Sequence, residues 1–182
     1  ANLAFSAEIL AKYGFENWPN EQKKEFKVLQ KHLDQAQRMT DNLISFATFL
    51  NKQADLDLEV IDLTELITET LQLLRGLAEQ KKLVFEVNIA PDIPLMLLDK
   101  SKMQDAIYHL MDNAIKFSNQ EGRIRLACWC QDGQVFFEIE DEGVGIAPHE
   151  LAYIWDGFIQ MSDSLMRGLE GLGLGLALVK YV

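Results

Sequence analysis

Five polar residues crowd one short, otherwise amphipathic stretch. In KMQDAIYHLMDNAIKFS, Lys102 to Ser118, the residues Asp105, His109, Asp112, Asn113 and Lys116 stand three or four apart. On a helix several of them must share one edge. Asn113 offers a neutral oxygen to a hard cation such as Mg²⁺ and keeps an amide donor for a phosphate oxygen. Lys116, one turn on, supplies a point charge suited to phosphate. Beside them Met103, Ala106, Ile107, Leu110, Met111, Ala114 and Phe117 recur at helical spacing and predict a buried stripe. Taken alone, the pattern also fits a plain amphipathic helix with a solvated edge.

Two glycine clusters further on favour the chemical reading. DEGVGI, Asp141 to Ile146, ends a predicted strand. A carboxylate there can accept from an exocyclic amine, such as the N6 group of adenine. Gly143 and Gly145 let the backbone turn and approach a flat ring with no Cβ in the way. EGLGLGLALVK, Glu170 to Lys180, leads glycines straight into a helix. Loop amides and a helix N-terminus of this kind suit an anion. Its spacing is not that of a dinucleotide fingerprint or a P-loop.

The elements that carry these groups follow from periodicity. Ala1 to Tyr13 reads as the end of a helix, closed by Gly14 and a loop through Pro19. Asn20 to about Ala54 reads as one long helix with the stripe Phe26, Leu29, Leu33, Ala36, Met39, Leu43, Phe46, Ala47 and Leu50. Its span is on the order of 50 Å, against about 20 Å for the first arm. So unequal a hairpin is expected to continue upstream of Ala1 and to pair with a second copy as a four-helix bundle. Asp55 to Ile61 reads as a linker. A helix from Asp62, in a capping box with Glu65, runs to about Gln80. Leu83 to Ala90 and Leu95 to Asp99 read as strands. RIRLACWCQ and QVFFEIED form a hairpin on an Asp132-Gly133 turn. A last helix begins near Gly173.

Composition sets the outer bounds. The 182 residues carry a formal charge of -11 and are 48% hydrophobic. That supports a folded core and argues against a nucleic-acid backbone or an anionic membrane as partner. No apolar run reaches the roughly 20 residues needed to cross a bilayer. Ala1 is not an initiator methionine, so the chain is expected to be part of a longer one. Cys128 and Cys130, two residues apart on a strand and so on the same face, read as core residues of a reducing compartment.

Taken in order, HLMDNAIKFS, DEGVGI, WDGFIQMSD and EGLGLGLALVK resemble the asparagine, first glycine, phenylalanine and second glycine boxes of the ATP-binding domain of sensor histidine kinases. The upstream hairpin resembles the dimerisation and phosphoacceptor domain of the same family. The resemblance implies an α+β fold: an α/β sandwich with helices on one face of a mixed sheet, preceded by a helical hairpin that forms a dimeric four-helix bundle. It implies three segments: residues 1–54 as the hairpin, 55–61 as linker, and 62–182 as the ATP-binding domain without its closing strands. ATP and Mg²⁺ are the implied cofactors, with Asn113 on the metal and His109 beside it. His109, Asn113 and Lys116 would form the catalytic edge. Phe117 would lie against the nucleoside, and Asp141 would hold the adenine amine above Gly143, Gly145 and Ile146. Phe158 would open a lid, and Gly171, Leu172, Gly173, Leu174 and Gly175 would hinge it on the phosphate side.

The implied activity is transfer of the γ-phosphate to a histidine of the dimerisation helices, then to an aspartate of a response-regulator receiver domain. The implied setting is a homodimer in the cytoplasm, including the cytoplasmic portion of a membrane-anchored sensor. Three departures motivate an alternative, a pseudokinase or nucleotide-binding scaffold of the same fold. His109 stands where the family has an asparagine, Leu172 replaces a small polar residue, and the phosphoacceptor motif is missing; Trp155 and Gly157 are further departures, in the phenylalanine box. None of His32, His109 or His149 matches a phosphoacceptor motif, so no acceptor is assigned within the chain.

Overall fold

The computed structural model describes residues 18–50, 56–158, 173–180 and 182. The chain divides into two compact units, Ala1–Thr48 and Phe49–Val182.

In the first unit the described element is helix α1, Asn20–Leu50. Phe26 is its buried anchor, with the Trp18 ring edge-on at 5.2 Å. Val28, Leu29, Leu43 and Ile44 remain exposed along the helix. The expected first arm of the hairpin and residues 51–54 of the second lie outside the described residues.

The second unit is α+β. Its elements run β1 (Leu58–Ile61), α2 (Leu63–Gln80), β2 (Val84–Ile89), β3 (Met96–Asp99), α3 (Lys100–Phe117), β4 (Arg123–Gln131), β5 (Gln134–Asp141) and α4 (Gly175–Val179). Strands β2, β4 and β5 form a mixed sheet, β2 parallel to β4 and β4 antiparallel to β5. Strands β1 and β3 pair antiparallel in a separate two-stranded sheet, Val60 opposite Leu97.

Each element has a local cause. Asp62 caps α2, its carboxylate accepting from the amides of Thr64 and Glu65. Leu63, Leu66, Ile67, Thr70, Leu74 and Ala78 give that helix one buried face, with the Thr70 hydroxyl satisfied on Leu66 O at 2.8 Å. Strand β4 alternates, burying Ile124, Leu126 and Cys128. The Asp132-Gly133 turn has both residues in the left-handed region, φ 52° and 76°, the geometry of a two-residue hairpin. Helix α3 contributes Ala106, Ile107, Met111, Ala114 and Ile115 to the core. It packs against α2, α4 and β5.

Three expectations are corrected. Residues 58–61, expected as linker, are a strand; four residues are too few for periodicity, and the pairing partner lies far along the chain. The central helix begins at Lys100 rather than Lys102. Asp99 is its cap, accepting from Lys102 N at 3.1 Å and from the Ser101 hydroxyl at 2.8 Å. Its buried face is turned toward Ile115, while Met103, Leu110 and Phe117 are only half-buried.

Candidate functional site

The site is built where the C-terminal end of α3 meets the turn after β5. Ser118, the C-cap of α3, forms an antiparallel bridge with Gly143. Two motifs far apart in sequence thereby become neighbours. The approach is close: a Cβ on Gly143 would lie 2.5 Å from the carbonyl oxygen of Phe117 and would strike Asp141 Oδ1. Only glycine fits there. Gly143 N donates to Asp141 Oδ1 at 2.8 Å, so one carboxylate oxygen fixes the turn. The other oxygen of this exposed residue is open to a donor from outside. Asn119 Nδ2 donates to Glu142 O at 3.0 Å and ties the next residues of the two segments together.

Beyond Gly143 the turn presents an apolar, exposed surface. Gly145 is in the left-handed region, φ 68°, and no atom lies within 4 Å of where its Cβ would be. Val144 and Ile146 are exposed, as are Leu151, Tyr153 and Trp155 after them. Ser118 adds the opposite character. Its hydroxyl is buried and finds no hydrogen-bond partner among the described residues. A buried polar atom left in that state accommodates a partner beyond the described residues.

Along α3, His109, Asn113 and Lys116 share an edge, as their spacing requires. Asn113 is half-buried and makes no hydrogen bond among the described residues, so both ends of its carboxamide are available. Lys116 is engaged instead, its ammonium 2.5 Å from Asp112 Oδ2. Any phosphate contact must be shared with, or won from, that carboxylate. His109 packs on α4: a Cβ on Gly175 would lie 3.3 Å from its Nδ1. Burial pushes the imidazole below its ordinary value; Asp105 and Asp112 pull it back up, and Lys116 adds to the depression. The ring therefore favours the neutral form, with a lone pair, at neutral pH.

The lid and hinge positions are placed in part. Phe158 is exposed, has φ 66°, and donates its amide to Gly173 O at 3.1 Å. Gly173 also has positive φ, 67°. Gly171 and Leu172 lie outside the described residues. Leu174 is buried, which leaves only its backbone for a ligand. Two residues to which pattern gave no role are Ser118, which ends the helix, and Asp112, which stands on the polar edge and holds Lys116. Each is an ordinary polar residue in sequence, and only the tertiary contact gives it a role.

The donor set fits a nucleotide and its cation. An open carboxylate oxygen, a left-handed glycine and exposed apolar side chains suit a flat base bearing an amine. A carboxamide beside a neutral imidazole is too small a set for a protein-made metal cage. Among the described residues no group of three His, Cys, Asp or Glu could hold an ion. It does suit a cation that arrives on phosphates and keeps most of its own water. Cys128 and Cys130 are free thiols, and burial pushes Cys128 further up in pKa, so it stays an inert core residue.

Residues 98–182 match the family model described as histidine kinase-, DNA gyrase B- and HSP90-like ATPase. The chain is 24% identical over 178 residues to the circadian input-output histidine kinase CikA of Synechococcus elongatus, covering 97% of this chain and 24% of that protein. The crystal structure of full-length ShkA in complex with AMPPNP matches at a TM-score of 0.74 and 26% identity, over 92% of this chain and 35% of that one. The mycobacterial sensor histidine kinase MprB matches at a TM-score of 0.58 and 31% identity, over 68% of this chain and 76% of that one. The chain spans about a quarter of the length of the curated relatives that head the comparison. No described helix is long and apolar enough to cross a membrane.

Proposed function

The chain belongs to the sensor histidine kinases, and from that footing we propose that it binds ATP with Mg²⁺ at the Asn113–Asp141 site and serves histidine phosphorylation in the complete protein. The observation that carries this is the Ser118–Gly143 bridge, which joins the helix bearing Asn113 and Lys116 to the turn bearing Asp141. A triphosphate on one side and a base on the other would then be held by a single rigid corner.

In this reading Asp141 accepts the adenine amine with the oxygen that Gly143 leaves free. Gly145 and Ile146 lie under the ring, and Phe117 lies against the nucleoside. Asn113 supplies an oxygen to the cation, and neutral His109 stands beside it. Bound Mg²⁺ would neutralise phosphate charge, and the nucleotide would supply the phosphoryl group. Lys116 adds a positive charge on the phosphate side once Asp112 shares it. Phe158 and Gly173 to Gly175 border the phosphates. Little covalent chemistry falls to these residues; positioning and charge neutralisation carry the rate. The acceptor histidine and dimerisation would come from the paired helices, and the phosphoryl group would pass to a response-regulator aspartate.

The test is direct. The complete protein, incubated with γ-labelled ATP and Mg²⁺, is expected to take up acid-labile, base-stable label. Acid-stable label or none would contradict the kinase reading, and ATP binding without label would support the scaffold alternative.

A further inference from the structure

Lys81 lies outside every motif, in the turn between α2 and β2, yet its side chain ends on the site's main helix. Its ammonium donates to Ile115 O at 2.8 Å, Lys116 O at 2.7 Å and Ser118 O at 3.2 Å. An ammonium has three protons, and here three carbonyls receive them. The last carbonyls of a helix have no partner inside it and carry its partial negative charge. A cation from another element therefore satisfies the end of α3. Among the described residues no carboxylate pairs with Lys81, so nothing competes for the charge.

The same turn grips the segment beyond the helix. Lys81 O accepts from Glu121 N at 2.9 Å, and Lys82 Nζ meets Glu121 Oε1 at 2.6 Å. From Ser118 the contacts continue to the base side: Ser118 is bridged to Gly143, and Gly143 N is held by Asp141 Oδ1. Burial lowers the pKa of Lys81, as expected for a cation drawn partly out of water to make these bonds.

We propose that Lys81 is a positioning residue for base selection: by clamping the end of α3 it fixes the Ser118–Gly143 bridge and hence the direction in which Asp141 faces a bound base. This rests on the reading of Asp141 as the adenine acceptor. Lys81 itself touches neither base nor phosphate. A cap that served stability alone would lower the melting temperature and weaken all nucleotides alike. A positioning role changes the ratio between them.

The experiment compares this chain with Lys81→Met and Lys81→Arg, at matched folded fraction, in two measurements. The first is the affinity for ATP and for GTP. The second is amide hydrogen exchange, without nucleotide, at Ser118 and Gly143 against Leu126 in β4. Lys81→Met is expected to weaken ATP by about tenfold, the scale of losing hydrogen bonds to a charged donor, and to bring the ATP-to-GTP ratio toward one. Exchange at Gly143 should quicken while Leu126 keeps its wild-type rate. Lys81→Arg, which retains charge and donors, should restore most of the ratio. If Lys81→Met does not fold, Lys81→Gln takes its place. Wild-type exchange at Gly143 in a folded uncharged variant would overturn the proposal, as would an unchanged ATP-to-GTP ratio beside a clear wild-type preference. Equal ATP and GTP affinities in the wild type would instead sink the Asp141 reading, and the clamp is then judged on Gly143 exchange alone.

Discussion

The carbonyl of Phe117 occupies the space in which a side chain on Gly143 would begin, 2.5 Å from an ideal Cβ. Backbone meets backbone there, so neither side can give by a rotamer change. Gly143→Ala is expected to cost about 1–3 kcal/mol, the range for forcing atoms into a packed region, and to open the bridge to Ser118. Urea unfolding reads the first effect and ATP titration the second. A variant of wild-type stability would show that the two segments are not pressed together.

In the proposed site Asn113 is the group whose role would depend on the cation. Asn113→Ala should weaken ATP binding in the presence of Mg²⁺ by about tenfold or more, the scale of losing one contact to a charged partner. Without Mg²⁺ the two proteins should differ much less. The comparison is a titration with and without the cation. Equal losses in both conditions would assign Asn113 to the nucleotide instead.

Stability should depend on pH through His109. Burial is the leading cause of its depressed pKa, against the pull of Asp105 and Asp112. The folded state thus resists protonation more than the unfolded one, whose histidine titrates near its ordinary 6.5. The His109 contribution is fully present above about 6.5 and is lost as pH falls from there through the folded value. Urea midpoints between pH 7.5 and 5.5 should fall more steeply for the wild type than for His109→Asn. Parallel slopes would mean that the imidazole is not held neutral.

Much of this molecule could be read before its structure, and the exceptions have physical causes. The Asp132-Gly133 hairpin was legible because the turn chemistry is local. Helix α3 was legible in type but not in start, since Asp99 could belong equally to the strand before it and to the cap. Strand β1 was not legible, because its pairing with β3 is long-range. In the site, Asn113 stood out as a carboxamide on the edge of an amphipathic helix, and Asp141 as a carboxylate before a glycine turn. Lys81 and Ser118 did not, because their roles come from whose carbonyls and amides they meet across the fold. The pairing of Lys116 with Asp112 belongs with them: the spacing allowed it, as it allowed several other pairs.

The measurement that bears most directly on the site is a pair of affinities, for ATP and for GTP, in the wild type and in Asp141→Ala at matched folded fraction. In the proposed site adenine would offer an amine to the free oxygen of Asp141, whereas guanine would put an oxygen there and meet a carboxylate head-on. The wild type is therefore expected to prefer ATP. Removing the carboxylate should cost ATP about 1.5–3 kcal/mol, the scale of a hydrogen bond to a charged group, and should cost GTP nothing. The ratio of the two affinities then falls toward one. An unchanged ratio would contradict the account, because Asp141 would then be a turn residue and the base would lie elsewhere.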